Sequence, residues 1–513
     1  MNRQESVVHT GMRPYIEGFS VPAPSIRYGW EDYEDQQPTV ETDKAFWRYV
    51  WRKLRHESLI EVDSAHGGEF RLWIDPVFVL TGGIDPEDNR AKLDTQNIYN
   101  NSRGVQVRGK IGNKVAFGTD FYETQTLLPA YQEAWAFSRG EYRFSQGTGR
   151  WAQENAVVMG QGRTKDFKNI GFDFNLASGY VSYTPFKWWN VQAGTGKHFV
   201  GEGYRSLLLS DNAFNYPYVR STTSWFNNKL QYTNIWASLS TLNRIPETST
   251  TEPLYIPKTG SFHYLSFAPS KSIQLGLFEG IIWDRWDSTG TKDFDARFVN
   301  PVIGTNTLMM GTRGKNNALI GLTFKVLPAD DYTFYGQYVF DADAQLGYQF
   351  GVKAADLMGV TNLFAQLEYN TVNKGTYSHN NSQQGYTHFN QELAHPLGAA
   401  FNEAVAVAAY RWKDLSVRVK ITNATYKTDT AGTRFGSVVI DPNWDGTYPR
   451  VETKDETVRN IDLRLAYLVN PSTNMNVIFG VINRTDSGEL YGGETLYVYA
   501  GFTTNLTNTY TDF

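Results

Sequence analysis

The chain has 513 residues, no cysteine, a formal charge of −5 from 48 basic and 53 acidic side chains, and 15% aromatic residues. This length builds a large core without disulfides, and the missing Cys excludes Cys-ligated zinc, iron–sulfur clusters, thiol nucleophiles and a lipidated N-terminal Cys. The balanced charge, with no basic stripe, argues against a nucleic-acid partner, and at a mean hydropathy of −0.44 no apolar run approaches the ~18 residues of a spanning helix. Transmembrane β-barrels survive these exclusions, because their lipid face occupies every second residue.

Residues 1–11 have neither a basic n-region nor an apolar h-region. A barrel needs a leader to reach an outer membrane, so the sequence is expected to be a mature or trimmed form. Residues 1–66 read as an N-terminal periplasmic segment with a helix near 43–57. Thr42 and Asp43 cap it, and Phe46, Tyr49, Val50 and Leu54 fall on one face. The helix either packs under a barrel mouth or docks a partner.

From residue 67 to 513 the pattern has period two. Val105, Val107 and Ile111 alternate with Gln106, Arg108 and Lys110, and Leu363, Ala365, Leu367 and Tyr369 with Phe364, Gln366 and Glu368. Leu415, Val417, Val419 and Ile421 alternate with Ser416, Arg418, Lys420 and Thr422. One apolar and one polar face over about 9 to 12 residues is the signature of a strand between lipid and water. Such segments lie near 69–80, 103–111, 114–124, 171–184, 188–198, 220–227, 229–241, 261–269, 272–283, 317–326, 331–340, 344–354, 361–372, 401–411, 414–426, 459–468, 473–484 and 494–506. Tight turns alternate with long Asn/Asp/Gly-rich loops, the asymmetry of an outer-membrane barrel. The fold class is therefore all-β, an antiparallel transmembrane barrel of about 18 strands with both termini on the short-turn, periplasmic side. Only the connection after Phe340 is shorter than its side requires.

A barrel of this size has a wide lumen unless loops fill it, and 125–170, 199–219, 284–316 and 373–400 are long enough to do so. Their aromatics, among them Trp135, Trp151, Tyr204, Tyr216, Tyr218, Trp283, Trp286 and Tyr386, suit sugar rings, although Trp and Tyr at strand ends also form interface girdles. Tyr204, Arg205, Asp211, Asn212 and Tyr216 lie mid-loop and form the candidate glycan-binding set. His379, His388 and His395 share one loop; their spacing suits hydrogen bonding that folds the loop better than metal ligation. Asp441, Asn443, Asp445 and Glu452 match a calcium-loop pattern around Gly446. No flanking helices are expected there, and a solvated Asn/Asp turn is the alternative. No cofactor is required, with Ca²⁺ the one candidate. Hydrolase elbows, zinc-protease helices and phosphate-binding Gly loops are missing from the sequence, so no enzyme is expected. The closing strand 494–506 precedes Phe513, a terminal aromatic of the kind read by barrel-assembly machinery.

The run from Tyr377 to Phe401 and Glu403 resembles the Bacteroidota outer-membrane family of RemB-like gliding-motility proteins, itself similar to capsule-assembly proteins of the Wzi type. Ser102 to Gly112, Phe121 to Gln125 with Pro129 to Tyr131, Ala177 to Pro185, and Gly201 to Asp211 with Tyr216 and Pro217 resemble it too. The resemblance covers the chain from about residue 45, and its Wzi part rests mainly on Gly201 to Asp211. It implies an eighteen-stranded barrel in a Gram-negative outer membrane, surface polysaccharide attachment, and a role linked to gliding or type IX secretion. Expected partners are outer-membrane lipid, surface polysaccharide and other envelope, gliding or secretion proteins. A subunit of a secretion or motility complex and a diffusion porin remain as alternatives.

Overall fold

The computed structural model describes residues 46–55, 57–63, 70–90, 97–145, 150–153, 155–168, 170–244, 255–287, 290–293, 295–311, 316–341, 345–379, 381–429, 453–488, 492–504 and 510–513. Eighteen antiparallel strands close into one barrel. They are β1 (Phe70–Ile84), β2 (Ile98–Ile111), β3 (Val115–Leu127), β4 (Gly171–Phe186), β5 (Trp189–Gly196), β6 (Tyr216–Trp225), β7 (Leu230–Arg244), β8 (Tyr255–Ser270), β9 (Ile273–Asp284), β10 (Asn317–Ala329), β11 (Tyr332–Phe340), β12 (Leu346–Ala354), β13 (Leu363–Val372), β14 (Phe401–Trp412), β15 (Leu415–Asp429), β16 (Thr453–Asn470), β17 (Met475–Asp486) and β18 (Gly493–Thr503). Each pairs with the next in sequence, and β18 returns to β1 with Val79 opposite Thr503 and Ile84 opposite Val498.

All the expected strands are present, with several running further toward the long loops than the alternation indicates. β2 begins at Ile98, β8 at Tyr255 and β16 at Thr453. These ends carry residues such as Asn100, Asn101, Lys454, Asp455 and Glu456. They project beyond the lipid layer, where both faces meet water or loop and the two-residue signal fades.

Alternation becomes orientation in the wall. Val105, Phe121, Val181, Val219, Leu275, Leu322, Phe334, Phe350, Leu367, Ile421 and Phe479 all point outward and are exposed, a belt that matches hydrocarbon rather than water. Near the short turns Phe186, Trp188 and Trp189 stack at 5.3 to 6.5 Å, and Trp225, Phe226 and Trp412 are exposed, as an interfacial girdle requires. Left-handed residues close the tight turns, among them Gly112 (φ 56°), Asn227 (φ 55°) and Asn228 (φ 64°), types that tolerate positive φ at low cost.

The seam shows what the N-terminal segment does. β18 stops opposite Val79, leaving the lower edge of β1 without it, and a four-residue strand, Ile60–Asp63, pairs there with Arg71 to Ile74. An unpaired edge is thereby covered. Residues 60–63 thus belong to the wall, although they precede the expected boundary at 66. Helix α1 (Phe46–Arg55) sits below the β16–β17 turn, where Asn470 Nδ2 donates to the carbonyls of Lys53 (3.0 Å) and Glu57 (2.9 Å). Val50 and Leu54, on the face expected to pack under the mouth or to dock a partner, are exposed together with Trp51. The Lys53 and Glu57 carbonyls, with Arg55 Nη2 donating to the Tyr467 hydroxyl at 3.2 Å, tie the helix to the turn, and the side chains of Phe46 and Tyr49 lie outside the described residues. The caps at Thr42 and Asp43 lie outside the described residues.

Candidate functional site

The lumen carries the largest buried cluster. Segments 197–215 and 373–400 fold inward between strands, helix α2 (Ala130–Ser138) enters from the loop side, and residues 510–513 turn back inside. Their apolar side chains form one core: Leu207, Leu208 and Leu209 pack with Phe262, Phe278, Tyr377, Tyr386, Trp135 and Phe513. Phe513 lies 5.4 Å from Trp135 and 5.8 Å from Tyr131, ring to ring, inside the lumen rather than at the end of β18.

Polar groups of the wall hold this plug. Glu368 on β13 accepts from the main-chain N–H of Tyr204 (2.7 Å) and Arg205 (3.1 Å), from Tyr335 (2.7 Å) and from Asn370 (2.9 Å). Gln337 on β11 donates to the carbonyl of Val200 and accepts from Leu207 N–H, each at 2.8 Å. Close approach of the backbone dictates glycine here: a Cβ at Gly203 would meet the Glu368 carboxylate at 2.7 Å, and Gly201, at φ 118°, faces the Gln337 amide.

At the centre is a four-charge network. Arg205 Nη2 lies 3.0 Å from Glu403 Oε1 and 3.1 Å from Asp512 Oδ1, while Lys420 Nζ is 3.0 Å from Asp512 Oδ2. His395 bonds the second Glu403 oxygen at 2.7 Å, and the Tyr204 hydroxyl donates to Asp512 at 2.8 Å. Arg205 is 1% exposed and lies over the Tyr204 and Tyr510 rings at 4.8 and 5.0 Å. The two carboxylates hold the guanidinium charged despite burial, and Arg205 with Lys420 keeps the Asp512 carboxyl well below its usual range.

The structure brings the candidate glycan set together, but inside the plug. Tyr204, Arg205, Asn212 and Tyr216 are buried, and Asp211 is half-buried and accepts from Tyr510 at 2.7 Å. Asn212 donates to the Glu392 carbonyl (3.1 Å), and Tyr216 bonds His198 (3.2 Å). In this conformation their polar groups hold the loop's fold, with Asp211 the one member of the set that is only partly covered. Trp135, Tyr218, Trp283 and Tyr386 are buried too, and the side chain of Trp151 lies outside the described residues.

The three loop histidines are dispersed and individually bonded. His388 Nδ1 accepts from Ser240 N–H (3.1 Å) and its Nε2 bonds the Asn215 carbonyl (3.2 Å). Burial pushes this imidazole down to about 3. His379 bonds Asn381 N–H, and no metal-binding cluster of His, Asp and Glu occurs among the described residues. Asp441, Asn443, Asp445 and Glu452 lie outside the described residues.

No protein-family model matches the sequence, and no curated protein does. Solved structures similar in outline include the Escherichia coli outer-membrane protein Wzi, involved in group 1 capsule assembly and described as a carbohydrate-binding β-barrel. It is 14% identical over 85% of this chain and 83% of its own, with a TM-score of 0.47. OprD of Pseudomonas aeruginosa is 11% identical over 88% of this chain and 100% of its own (TM-score 0.42), and OccAB2 of Acinetobacter baumannii is 11% identical over 85% and 97% (TM-score 0.41). The barrel assignment rests on the strand pairing itself.

Segment 284–316 does not join the plug as expected. Part of it builds a cleft of about 630 Å³ at the long-loop rim, lined by Trp283, Phe298, Asp284, Asp293, Arg285 and Lys292 with Asn316 and Gln384 behind. Lys292 bonds Asp284 at 2.6 Å, and Arg285 Nη1 donates to the Asp293 carbonyl at 3.2 Å. Rings, both charge signs and side-chain amides thus meet in a volume that fits a small oligosaccharide. Of its lining the sequence pointed only to Trp283, because the other residues come from a strand end and separate stretches of loop that only the fold brings together.

Proposed function

We propose that the chain is a non-enzymatic outer-membrane β-barrel of the Wzi and RemB-like type that binds surface polysaccharide on its long-loop side and does not conduct solutes. The filled lumen carries this reading over the porin alternative: Glu368, Asn370, Glu403, Gln349 and Gln337, which would line a pore, are buried against segments 197–215 and 373–400. The rim cleft is the proposed sugar-binding surface, and Tyr204, Arg205, Asp211, Asn212 and Tyr216 serve it by fixing the plug beneath. Purified protein should be silent in planar bilayers and be retained on exopolysaccharide or capsule. Retention should fall on Asp284→Ala with Lys292→Ala, and steady conductance by the native chain would reject the reading.

A second reading is support of gliding motility and type IX secretion as a subunit of an envelope complex. The exposed Val50, Trp51 and Leu54 on α1 favour it, because they offer a docking face at the short-turn mouth. Co-purified envelope proteins lost on Trp51→Ala would support it. Calcium at Asp441, Asn443, Asp445 and Glu452 is a further proposal, and a titration heat unchanged by Asp441→Ala and Glu452→Ala would retire it.

A further inference from the structure

The outer wall contains a polar row where lipid is expected. Tyr232, Asn234, His263 and Glu279 occupy outward positions on β7, β8 and β9, in the same alternation that places Leu275 and Phe267 in the belt. Glu279 is six residues above Ile273, about 20 Å along a strand and about 15 Å of height at a barrel's tilt, which lies within a belt about 25 Å tall. A carboxylate at that level is costly against acyl chains. His263 and Glu279 are nonetheless each 1% exposed by side chain, 3.4 Å apart.

The cover is the lower part of the rim loop, residues 295–311. It folds over the edge and down the outside. The N–H of Gly304 donates to Glu279 at 2.9 Å and that of Thr307 at 3.3 Å, the Thr307 hydroxyl donates to the same carboxylate, and the Tyr232 hydroxyl donates to the Pro301 carbonyl. Phe298 and Met310 pack on Ile281, Trp283 and Ala318 of the outer wall.

Two properties of the loop fit lipid on its far side. First, much of its backbone is bonded from within: Phe298 N–H to Asp295, Asn300 to Arg297, Leu308 to Gly304 and Gly311 to Thr307 along the chain, with Val302 N–H on the Asn300 side chain. Irregular backbone survives beside hydrocarbon only under that condition. Second, its outer surface from Val299 to Met309 is apolar, with Leu308 87% and Met309 75% exposed beside exposed Val299 and Val302, while the exposed Arg297 and half-buried Asp295 before it pair with each other and line the rim cleft. In water that surface would be a liability; here it continues the belt of Leu275 and Leu322. We propose that the part of this loop from 299 to 311 is immersed in the bilayer, sealing the polar row with its inner face and meeting acyl chains with Val299, Val302, Leu308 and Met309.

The inference rests on the bilayer reading of the barrel, and the test separates the two. Because the chain has no Cys, single variants Leu308→Cys, Met309→Cys, Leu275→Cys in the belt and Thr291→Cys on the exposed rim can each carry a nitroxide. The full-length barrel is reconstituted in phosphatidylcholine vesicles. Collision with oxygen, which concentrates in lipid, is compared with collision with a water-soluble nickel chelate. Labels at 308 and 309 should match 275, with oxygen favoured several-fold, while 291 shows the reverse. Labels at 308 and 309 that match 291 would overturn the proposal while leaving the barrel in the membrane. Labels shielded from both reagents would overturn it in favour of a second copy of the chain. If 275 itself meets the chelate, the bilayer reading falls and the proposal with it.

Discussion

Two charged clusters lie on opposite faces of one wall, and each is removed from water by a loop. Inside, Glu368 and Glu403 are met by residues far away in sequence, since Arg205 precedes Glu403 by 198 positions. Outside, Glu279 is met by Gly304 and Thr307, only 25 and 28 positions on. The inner cluster holds four formal charges and ties the plug to the wall. The outer one is a single carboxylate beside a histidine, and what it closes is a gap in the lipid belt. The same alternating wall thus accepts polar groups on either face, provided a loop supplies their partners.

The largest expected effect is on the inner cluster. Arg205→Ala leaves Glu403 and Asp512 facing each other without the guanidinium, a loss of about 3–5 kcal/mol for a broken buried pair. The plug should detach from β13 and β14, giving conductance steps in planar bilayers where the native chain gives none. Arg205→Lys restores one charge but cannot bridge both carboxylates, and it should fall between the two.

Acid should act on the same region with a smaller effect. Buried His388 stays neutral down to about 3, whereas a freed imidazole binds a proton below about 6.5. The detached plug therefore takes up protons first, so this stability is full above pH 6.5 and is lost between there and about 3. At pH 5 the loss from His388 alone is about 2 kcal/mol. His395, whose imidazole burial also pushes down, adds with the same sign. Channel openings should become more frequent from pH 7 to 5, and His388→Gln should flatten that dependence; an unchanged pH response would detach this histidine from the plug's stability.

How much of this was legible follows from distance along the chain. The strands were readable because their signal is local: Lys420 and Glu368 stood on the polar face of their strands, and the structure turns both into the lumen. Their partners were not readable, because nothing near Glu368 announces Tyr204 or Arg205. Segment 199–219 was recognisable as lumen-filling, but that Tyr204, Arg205, Asn212 and Tyr216 would be buried within it was not, because their partners lie far along the chain. Glu279 and His263 broke the alternation on the lipid face, a signal present in the sequence but easily lost among neighbouring polar residues. Leu308 and Met309 are apolar within a loop, which has meaning only once the loop is placed against the wall.

The smallest expected effect sharpens the contrast between the faces. Glu279→Gln keeps one acceptor for the Gly304 and Thr307 donors but removes the charge that strengthens those bonds, a difference of about 1–2 kcal/mol. Among the described residues nothing on the lumen side bonds this carboxylate, because Phe278 and Gly280 on either side of it point inward while Glu279 points out. Loop 295–311 should therefore lift from the wall more often and become sensitive to added protease in vesicles, while bilayer recordings stay as silent as those of the native chain. Protease sensitivity together with channel openings would mean that the wall transmits disturbance from its outer cluster to the plug. The two faces would then be one cooperative unit and not two seals on a rigid barrel.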